Sequence, residues 1–539
     1  MVSLATTLIF ALSRLLGATT VNANSPSQSD VAAAIGSGRD GDIVTIPGGT
    51  ASWTRAVRVK KGITLQGAGV GKTIIKDAVQ SGPLLDCSLA TGNLTRITGI
   101  EFQDGGRSGK ELGGILKVTG SNTNGSQFRM DHCQFGDLNG MHVFNTVVGV
   151  IDHNTFAAGA KAGDTIEVYG HNWNNGTLGD GSYAADSNFG TDKFLFIEDN
   201  VFHFSGGTGG KGITDSYGGG RFVVRYNQIF DDMTVETHGT ESNQRARGVR
   251  AVEVYNNTFT GTDKNRFIGK MRSGVILLHD NTITGYWKGS TEFTLQNYRC
   301  QDMFAPWDQA DGQSQWDVNQ PGGPFYSGAV TASGSQTVTV TGTSWTTDQW
   351  KGYTIRRDNP SGSPAFAEIT SNTANTISYL FGVFGTLSFQ VGDTFKLYKV
   401  NQALDQPGRV KGSLIRGNPP VKPGGWNDQV TEACYAWNNT SGGASMVGFV
   451  RGNLVIRPGE HYFNNTPMPG YTPYIYPHPL VNGVRPPEQM TRNAKGNSQH
   501  NLRGKRQPWG GKKQDRRQGK KPNENPTNEM AEGQENPGN

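Results

Sequence analysis

Phe194-Leu-Phe-Ile-Glu-Asp-Asn200-Val-Phe202 sets the pattern of this chain: an apolar alternating run, an asparagine, any residue, then Phe or Ile. The phrase returns as Phe222-Val-Val-Arg-Tyr-Asn227-Gln-Ile229, Ala251-Val-Glu-Val-Tyr-Asn-Asn257-Thr-Phe259 and Val275-Ile-Leu-Leu-His-Asp-Asn281-Thr-Ile283. Upstream, His153-Asn154-Thr-Phe156 fits, as does His132-Cys133-Gln-Phe135 with Cys133 in the asparagine place. The anchors 133, 154, 200, 227, 257 and 281 lie 21, 46, 27, 30 and 24 residues apart. The interval of 46 reads as two periods, one hidden by an insertion. Short strands repeated every twenty to thirty residues are the mark of a solenoid, in which each coil buries its apolar face only against its neighbours. A repeated asparagine can take a left-handed turn and bond the backbone of the next coil. The Phe or Ile two residues on then stacks inside.

Such a molecule grows along its axis, so 539 residues need not divide into several ordinary domains. Glycine supplies 75 of them, about twice the usual share of roughly 7%. With no collagen period, these glycines serve tight turns at positive φ. Mean hydropathy is −0.51, and beyond the leader no apolar run approaches the ~18 residues of a membrane span. The net charge of +5 is uneven: residues 485–539 carry +6 and the rest −1. A near-neutral body with a basic tail is not the profile of a nucleic-acid enzyme.

Residues 1–23 read as a secretory signal, with an apolar core from Leu4 to Leu16 and the small-residue site Val21-Asn-Ala23. The expected location is therefore secreted or at the cell surface. The four cysteines, Cys87, Cys133, Cys300 and Cys434, form no metal-binding pattern. Cys133 reads as a small buried hydrophobe, and a Cys300–Cys434 disulfide would bracket the insertion described below.

Ser29 or Asp30 can cap a short helix, Asp30 to Gly36, with Val31, Ala34 and Ile35 on one face. It would close the first coil, whose open end would otherwise expose apolar interior and unpaired strand edges. Asp40-Gly-Asp-Ile-Val-Thr-Ile-Pro-Gly-Gly-Thr-Ala-Ser-Trp53, followed by Gly62-Ile-Thr-Leu-Gln-Gly-Ala-Gly69, resembles the first coil of right-handed parallel β-helix proteins of the pectate-lyase-like superfamily. The resemblance runs through the repeats to about Gly289. It resumes at Leu404-Asp-Gln-Pro-Gly-Arg409, Tyr435-Ala-Trp-Asn-Asn439 and Tyr474-Ile-Tyr-Pro-His-Pro-Leu480, covering roughly two thirds of the chain. It implies an all-β right-handed parallel β-helix whose coils each carry three strands, the asparagine following the second.

The expected organisation is β-helix over 24–300, an aromatic-rich loop over 301–326 and an inserted antiparallel β-sandwich or barrel over 327–400. The helix then continues over 401–484, and a basic, disordered tail fills 485–539. That tail could tether the protein to an anionic cell-surface polymer.

In the resembled fold, ligands lie along the first strand of each coil. Here that strand is Thr165–Tyr169, Gly212–Ser216, Thr234–His238 and Phe267–Arg272. Outward positions on stacked strands lie about 4.8 Å apart, so Glu167, Asp215, Glu236, His238, Lys270 and Arg272 would form one charged strip, with Arg247 and Arg250 on a loop beside it. A polysaccharide lyase acting on a uronate polymer could use such a strip. Asp215, Glu236 and Glu167 would hold Ca²⁺, and Lys270, Arg272, Arg247, Arg250 or His238 would supply the base and the carboxylate clamp. Asp231-Asp232, His238-Gly239 and Lys270-Met-Arg272 loosely resemble polygalacturonase elements, although the first two lie within one coil and the basic element is reversed. A third class is a non-catalytic glycan-binding rod, with Trp173, Trp287, Trp307, Trp316, Trp345 and Trp350 available to stack on sugars. The partner in all three readings is a polysaccharide.

Overall fold

The computed structural model describes residues 18–90, 92–120, 127–161, 164–170, 186–206, 212–239, 248–262, 267–286, 292–296, 318–319, 324–358, 365–380, 387–398, 400–402, 405–411, 430–445, 448–452 and 456–484. The tail and the leader core fall outside these, as do Arg247, Cys300, Trp173, Trp287, Trp307 and Trp316.

Among the described residues, three long parallel sheets of ten, twelve and eleven strands run the length of the coil stack. Each coil contributes one strand to each sheet in turn, the arrangement of a parallel β-helix. Inward side chains stack from coil to coil. Phe102, Phe135, Phe156 and Phe202 form a column with ring centroids 4.9–5.0 Å apart, continued by Ile229, Phe259 and Ile283 in the same register. Offset-stacked rings of this kind add about 0.5–1.5 kcal/mol per pair beyond the area they bury.

The asparagine ladder is continuous from Asn154 through Asn200, Asn227, Asn257 and Asn281 to Asn439. Each Oδ1 accepts the backbone N–H and the Nδ2 of the preceding asparagine at 2.9–3.1 Å. Each Nδ2 also donates to two carbonyls, as Asn227 does to Ile197 and Arg225. Cys133 begins the ladder, donating its N–H to Asn154 Oδ1 while its own thiol is buried. Two expectations change here. The left-handed residue is the one before each asparagine, namely His132, His153, Asp199, Tyr226, Asn256, Asp280 and Asn438, all at φ of 52–56°. The ladder asparagine itself is thereby turned inward. The interval of 46 is also one coil and not two, since Asn154 bonds Asn200 directly and Phe156 pairs with Phe202. Asn227→Ala would strand several buried polar groups at once, each worth about 1–3 kcal/mol. A loss of about 3 kcal/mol or more in chemical denaturation is expected, and a loss under 1 kcal/mol would deny the ladder a structural role.

The N-terminal helix spans Gln28–Ser37 and is capped by Ser27, whose side chain accepts from Asp30 N at 3.2 Å. The cap is therefore neither Ser29 nor Asp30, although Val31, Ala34 and Ile35 form the buried face as expected. Thr20–Asn22 is a strand paired in parallel with residues 43–45, and Ala23 is buried. Thr19 also bonds Asp42, so the end of the stretch 1–23 expected to be a leader is packed into the first coil.

The insertion is antiparallel, as expected. Seven strands from Tyr326–Ala329 to Thr394–Tyr398 enclose their own apolar core around Val338, Ile355, Ile369, Ile377, Phe395 and Leu397. Trp350 is buried in that core and Trp345 packs against it, so neither stands out as a sugar platform. Val318–Asn319 pairs with Val400–Gln402 and joins the ends of the insertion. The helix resumes on the coil it left, Leu277 pairing with Tyr435 and Phe293 with Phe449. Cys434 is a buried free thiol, pushed up to about 12 by burial, and Cys300, its expected partner, lies outside the described residues.

From Tyr471 to Val484 the chain runs back along the outer face of the twelve-stranded sheet. Arg225 donates to the carbonyls of Tyr474 and Ile475, Glu198 accepts from His478 N, and Arg129 donates to the carbonyls of Leu480 and Val481. Burial holds His478 and the interior His142 down to about 3, and His461 to about 4. Their folded pKa values lie below the unfolded value near 6.5, so their stability contribution is complete above pH 6.5 and drains away toward pH 3. Each buried histidine steepens that decline by about 1.4 kcal/mol per pH unit. His142→Leu is expected to flatten the fall in denaturation midpoint between pH 6.5 and 4.

Candidate functional site

The ten-stranded sheet carries the strip. Asp215 pairs with Glu236 and Glu236 with Lys270. Ile166 pairs with Thr214, so Glu167 continues the same outward row. Two residues on, a second outward row holds Tyr169, Tyr217, His238 and Arg272. Alternation puts Val168, Ser216, Thr237 and Met271 inward between the two rows, and all four are buried.

Arg272 follows the last residue of its strand, and its side chain joins the two rows. Nη2 donates to Asp215 Oδ1 at 2.7 Å and to Glu236 Oε2 at 2.9 Å, while Nε donates to the Thr237 carbonyl at 3.0 Å. The Arg272 N–H is held by Thr237 Oγ1 at 3.0 Å. Glu236 Oε1 accepts from Thr234 Oγ1 at 2.8 Å, and His238 Nε2 stands 3.5 Å from Asp215 Oδ2. The side chains are 13% exposed at Asp215, 14% at Glu236, 8% at Arg272 and 6% at His238, deep enough to strengthen these charge contacts yet open at the carboxylates.

Asp215, Glu236, His238 and Arg272 thus converge, with Lys270 next in the row, its Nζ 5.2 Å over the Phe267 ring. Glu167 extends the row but is 3% exposed. Arg250 differs from expectation: it is fully buried and bound to Glu432 at 2.7 Å, so its guanidinium is not offered to the groove. Asp231 and Asp232 are corner residues. Asp231 accepts from Phe204 N and faces His203, while Asp232 is buried and accepts from Thr262 N. They are not part of the cluster, which removes the polygalacturonase-like triad of elements.

A Ca²⁺ ion would need six to eight oxygens. Here the facing oxygens of Asp215 and Glu236 already converge on a guanidinium. Among the described residues, no group of three or more His, Cys, Asp or Glu side chains is arranged to hold a metal. The residues do not fit a Ca²⁺ site, and Arg272 fills that electrostatic place. Sequence reasoning missed Tyr169 and Tyr217, whose ring centroids lie 4.3 Å apart, with Tyr217 6.2 Å from the His238 ring. Their position two residues after Glu167 and Asp215 was the available signal.

No protein-family profile and no curated protein matches the chain by sequence. Among solved structures it is similar to ORF18 of Geobacillus virus E2, at 12% identity over 69% of this chain and 78% of that one, TM-score 0.24. It is similar to an alginate lyase from Paenibacillus sp. str. FPU-7, at 9% identity over 52% and 81%, TM-score 0.16. A mutant tailspike protein of E. coli bacteriophage HK620 in complex with hexasaccharide matches at 9% identity over 66% and 86%, TM-score 0.20.

Proposed function

We propose that the protein is a polysaccharide-cleaving enzyme that works by glycoside hydrolysis, with Asp215 and Glu236 as the reacting carboxylates. The observation that carries this reading is the shared Arg272 Nη2, bonded to one oxygen of each acid at 2.7 and 2.9 Å. The shared donor holds the two bonded oxygens no more than about 5.6 Å apart, close enough for both acids to face one glycosidic bond, as the paired carboxyl groups of retaining glycosidases do. Asp215, bonded by Arg272 and 3.5 Å from His238, is assigned the attack on the anomeric carbon. Glu236, which accepts from Arg272 and from the Thr234 hydroxyl, is assigned the second role, delivering a proton to the leaving glycosidic oxygen. A water activated by the same Glu236 would then release the sugar from Asp215. The groove along stacked strands suits an extended chain of sugars, and the apolar leader fits an exported protein acting on an extracellular or surface polymer.

The sign of the site's charge favours hydrolysis over β-elimination. Among the described residues the strip sets three carboxylates, Glu167, Asp215 and Glu236, against two cations, Lys270 and Arg272. Carboxylates stabilise the positive oxocarbenium-like state of hydrolysis, whereas β-elimination gathers negative charge on a uronate. One observation favours the lyase reading: Lys270, half-buried beside Glu236, could act as a base on a uronate polymer. The full chain should be incubated with a panel of neutral and uronate-containing polysaccharides. New reducing ends with retained anomeric configuration are expected. The absorbance of an unsaturated product would replace hydrolysis by elimination, and binding without either product would make the protein a glycan-binding rod.

A further inference from the structure

Lys270 stands next to the two acids but does not join them. It pairs in register with Glu236 on the outward row of the ten-stranded sheet. Glu236 commits one oxygen to Arg272 and the other to the Thr234 hydroxyl, and Asp215 lies one coil further away. Among the described residues the Lys270 ammonium forms no ion pair and no hydrogen bond, and its neighbour is the Phe267 ring, 5.2 Å away. The side chain is half-buried in the groove. Beyond it the row is uncharged, since Lys270 pairs with Thr294 and Thr294 with Val450. Thr294 is 8% exposed, and its Oγ1 is buried without a hydrogen-bond partner. Polar groups left in this state cost free energy until a ligand satisfies them.

The two sides of the reacting pair therefore differ in charge. Arg272 offsets only one of its two carboxylates, and Glu167 adds another acid on the N-terminal side. Lys270 is the first charged group of the row on the other side. Like charges repel strongly in a half-buried groove, so a sugar carboxylate is disfavoured opposite Asp215 and Glu236 and favoured one rung on. A sugar residue in an extended polymer advances by about 5 Å, close to the rung spacing of about 4.8 Å. Adjoining sugars thus meet adjoining rungs.

We propose that Lys270 and Thr294 form an anion subsite that selects a mixed polymer. A neutral sugar lies at the reacting pair, and an acidic sugar lies beside it toward the C-terminal coils. The anion is a carboxylate or a sulfate ester, either of which accepts from an ammonium and a hydroxyl together. The place of the cut bond rests on the hydrolytic reading above, whereas anion binding itself needs no turnover.

The test is calorimetric titration of the full chain with linear polymers of defined charge pattern. Gellan and hyaluronan intersperse glucuronate with neutral sugars, keratan sulfate carries sulfate in place of carboxylate, and polygalacturonate is acidic at every sugar. Each is titrated beside its carboxyl-reduced or desulfated form. At least one interspersed polymer should bind about tenfold more tightly than its neutralised form and than polygalacturonate. Whether reduction or desulfation weakens it identifies the anion. Lys270→Gln should remove the difference, Lys270→Arg should keep it, and Thr294→Val should narrow it without lowering the denaturation midpoint. No binding to any of these polymers, equal binding after neutralisation, a preference for polygalacturonate, or an undiminished difference in Lys270→Gln would overturn the subsite. Cleavage is scored separately. Anion-dependent binding without new reducing ends would retain the subsite and remove the hydrolytic reading, and new reducing ends with equal affinity for neutralised polymer would do the reverse.

Discussion

Arg225→Ala is expected to cost about 3–5 kcal/mol of unfolding free energy, the usual cost of breaking a buried ion pair from one side. The Arg225 and Glu198 side chains are both completely buried. Nε donates to Glu198 Oε2 at 2.6 Å, Nη1 to Tyr255 Oη and the Tyr474 carbonyl at 2.8 Å, and Nη2 to the Ile475 carbonyl at 3.0 Å. The guanidinium also sits 4.6 Å over the Phe196 ring. Truncation would leave an uncompensated buried carboxylate and two strap carbonyls without donors. The check is urea denaturation together with limited proteolysis. The variant should unfold at lower urea and be cut between Tyr471 and Val484 before the coils are attacked. Replacing the pair together, as in Arg225→Met with Glu198→Leu, should recover much of the loss, because apolar residues of similar volume remove the stranded charge. A loss under about 1 kcal/mol for Arg225→Ala would mean that the strap is held by its apolar contacts around Phe196, Tyr474 and Leu480 alone.

The contrast between this strap and the coils explains what was legible beforehand. The coils repeat because every rung imposes the same demand at the same place. An asparagine must bond its neighbour above and below, and an apolar ring must stack in the interior. Residue types therefore recur, and period, fold class and the three-strand coil can be read from the chain. Coil length carries no such demand. Residues added at a corner between Phe156 and Phe194 leave every rung intact, which is why one long coil was indistinguishable from two. The strap has no period at all. Tyr474 and Ile475 offer only backbone carbonyls to Arg225, and nothing in their side chains announces it.

The candidate site was half legible for the same reason. Alternation along each strand was enough to place Glu167, Asp215, Glu236 and Lys270 in one outward row. Which of them meet is decided by long side chains spanning rungs. Arg272 reaches acids 36 and 57 residues earlier in the chain, and that choice turns a metal-binding expectation into an arginine-bridged pair. Arg250 was misplaced because Glu432, its partner, enters from beyond the insertion, 182 residues later.

Glu236→Gln and Asp215→Asn are each expected to lower hydrolytic turnover by at least about 10²-fold, the lower end of what a positioned acid or base supplies. Neither change alters side-chain volume, so circular dichroism and denaturation midpoint should stay close to those of the unsubstituted chain. The two variants should nevertheless differ. Without the Glu236 acid, substrates with good leaving groups need little protonation and should be spared relative to the polymer. Without the Asp215 nucleophile, both substrate types should fall together, and no covalent glycosyl-enzyme should be trapped by mass spectrometry. Lys117→Ala, on the same outward row but exposed and several coils away, serves as the control and should retain full turnover. Loss in Lys117→Ala equal to that in Glu236→Gln would point to general weakening of polymer binding along the groove. Full activity in both carboxylate variants would remove Asp215 and Glu236 from the chemistry and leave their bond to Arg272 as a brace between coils.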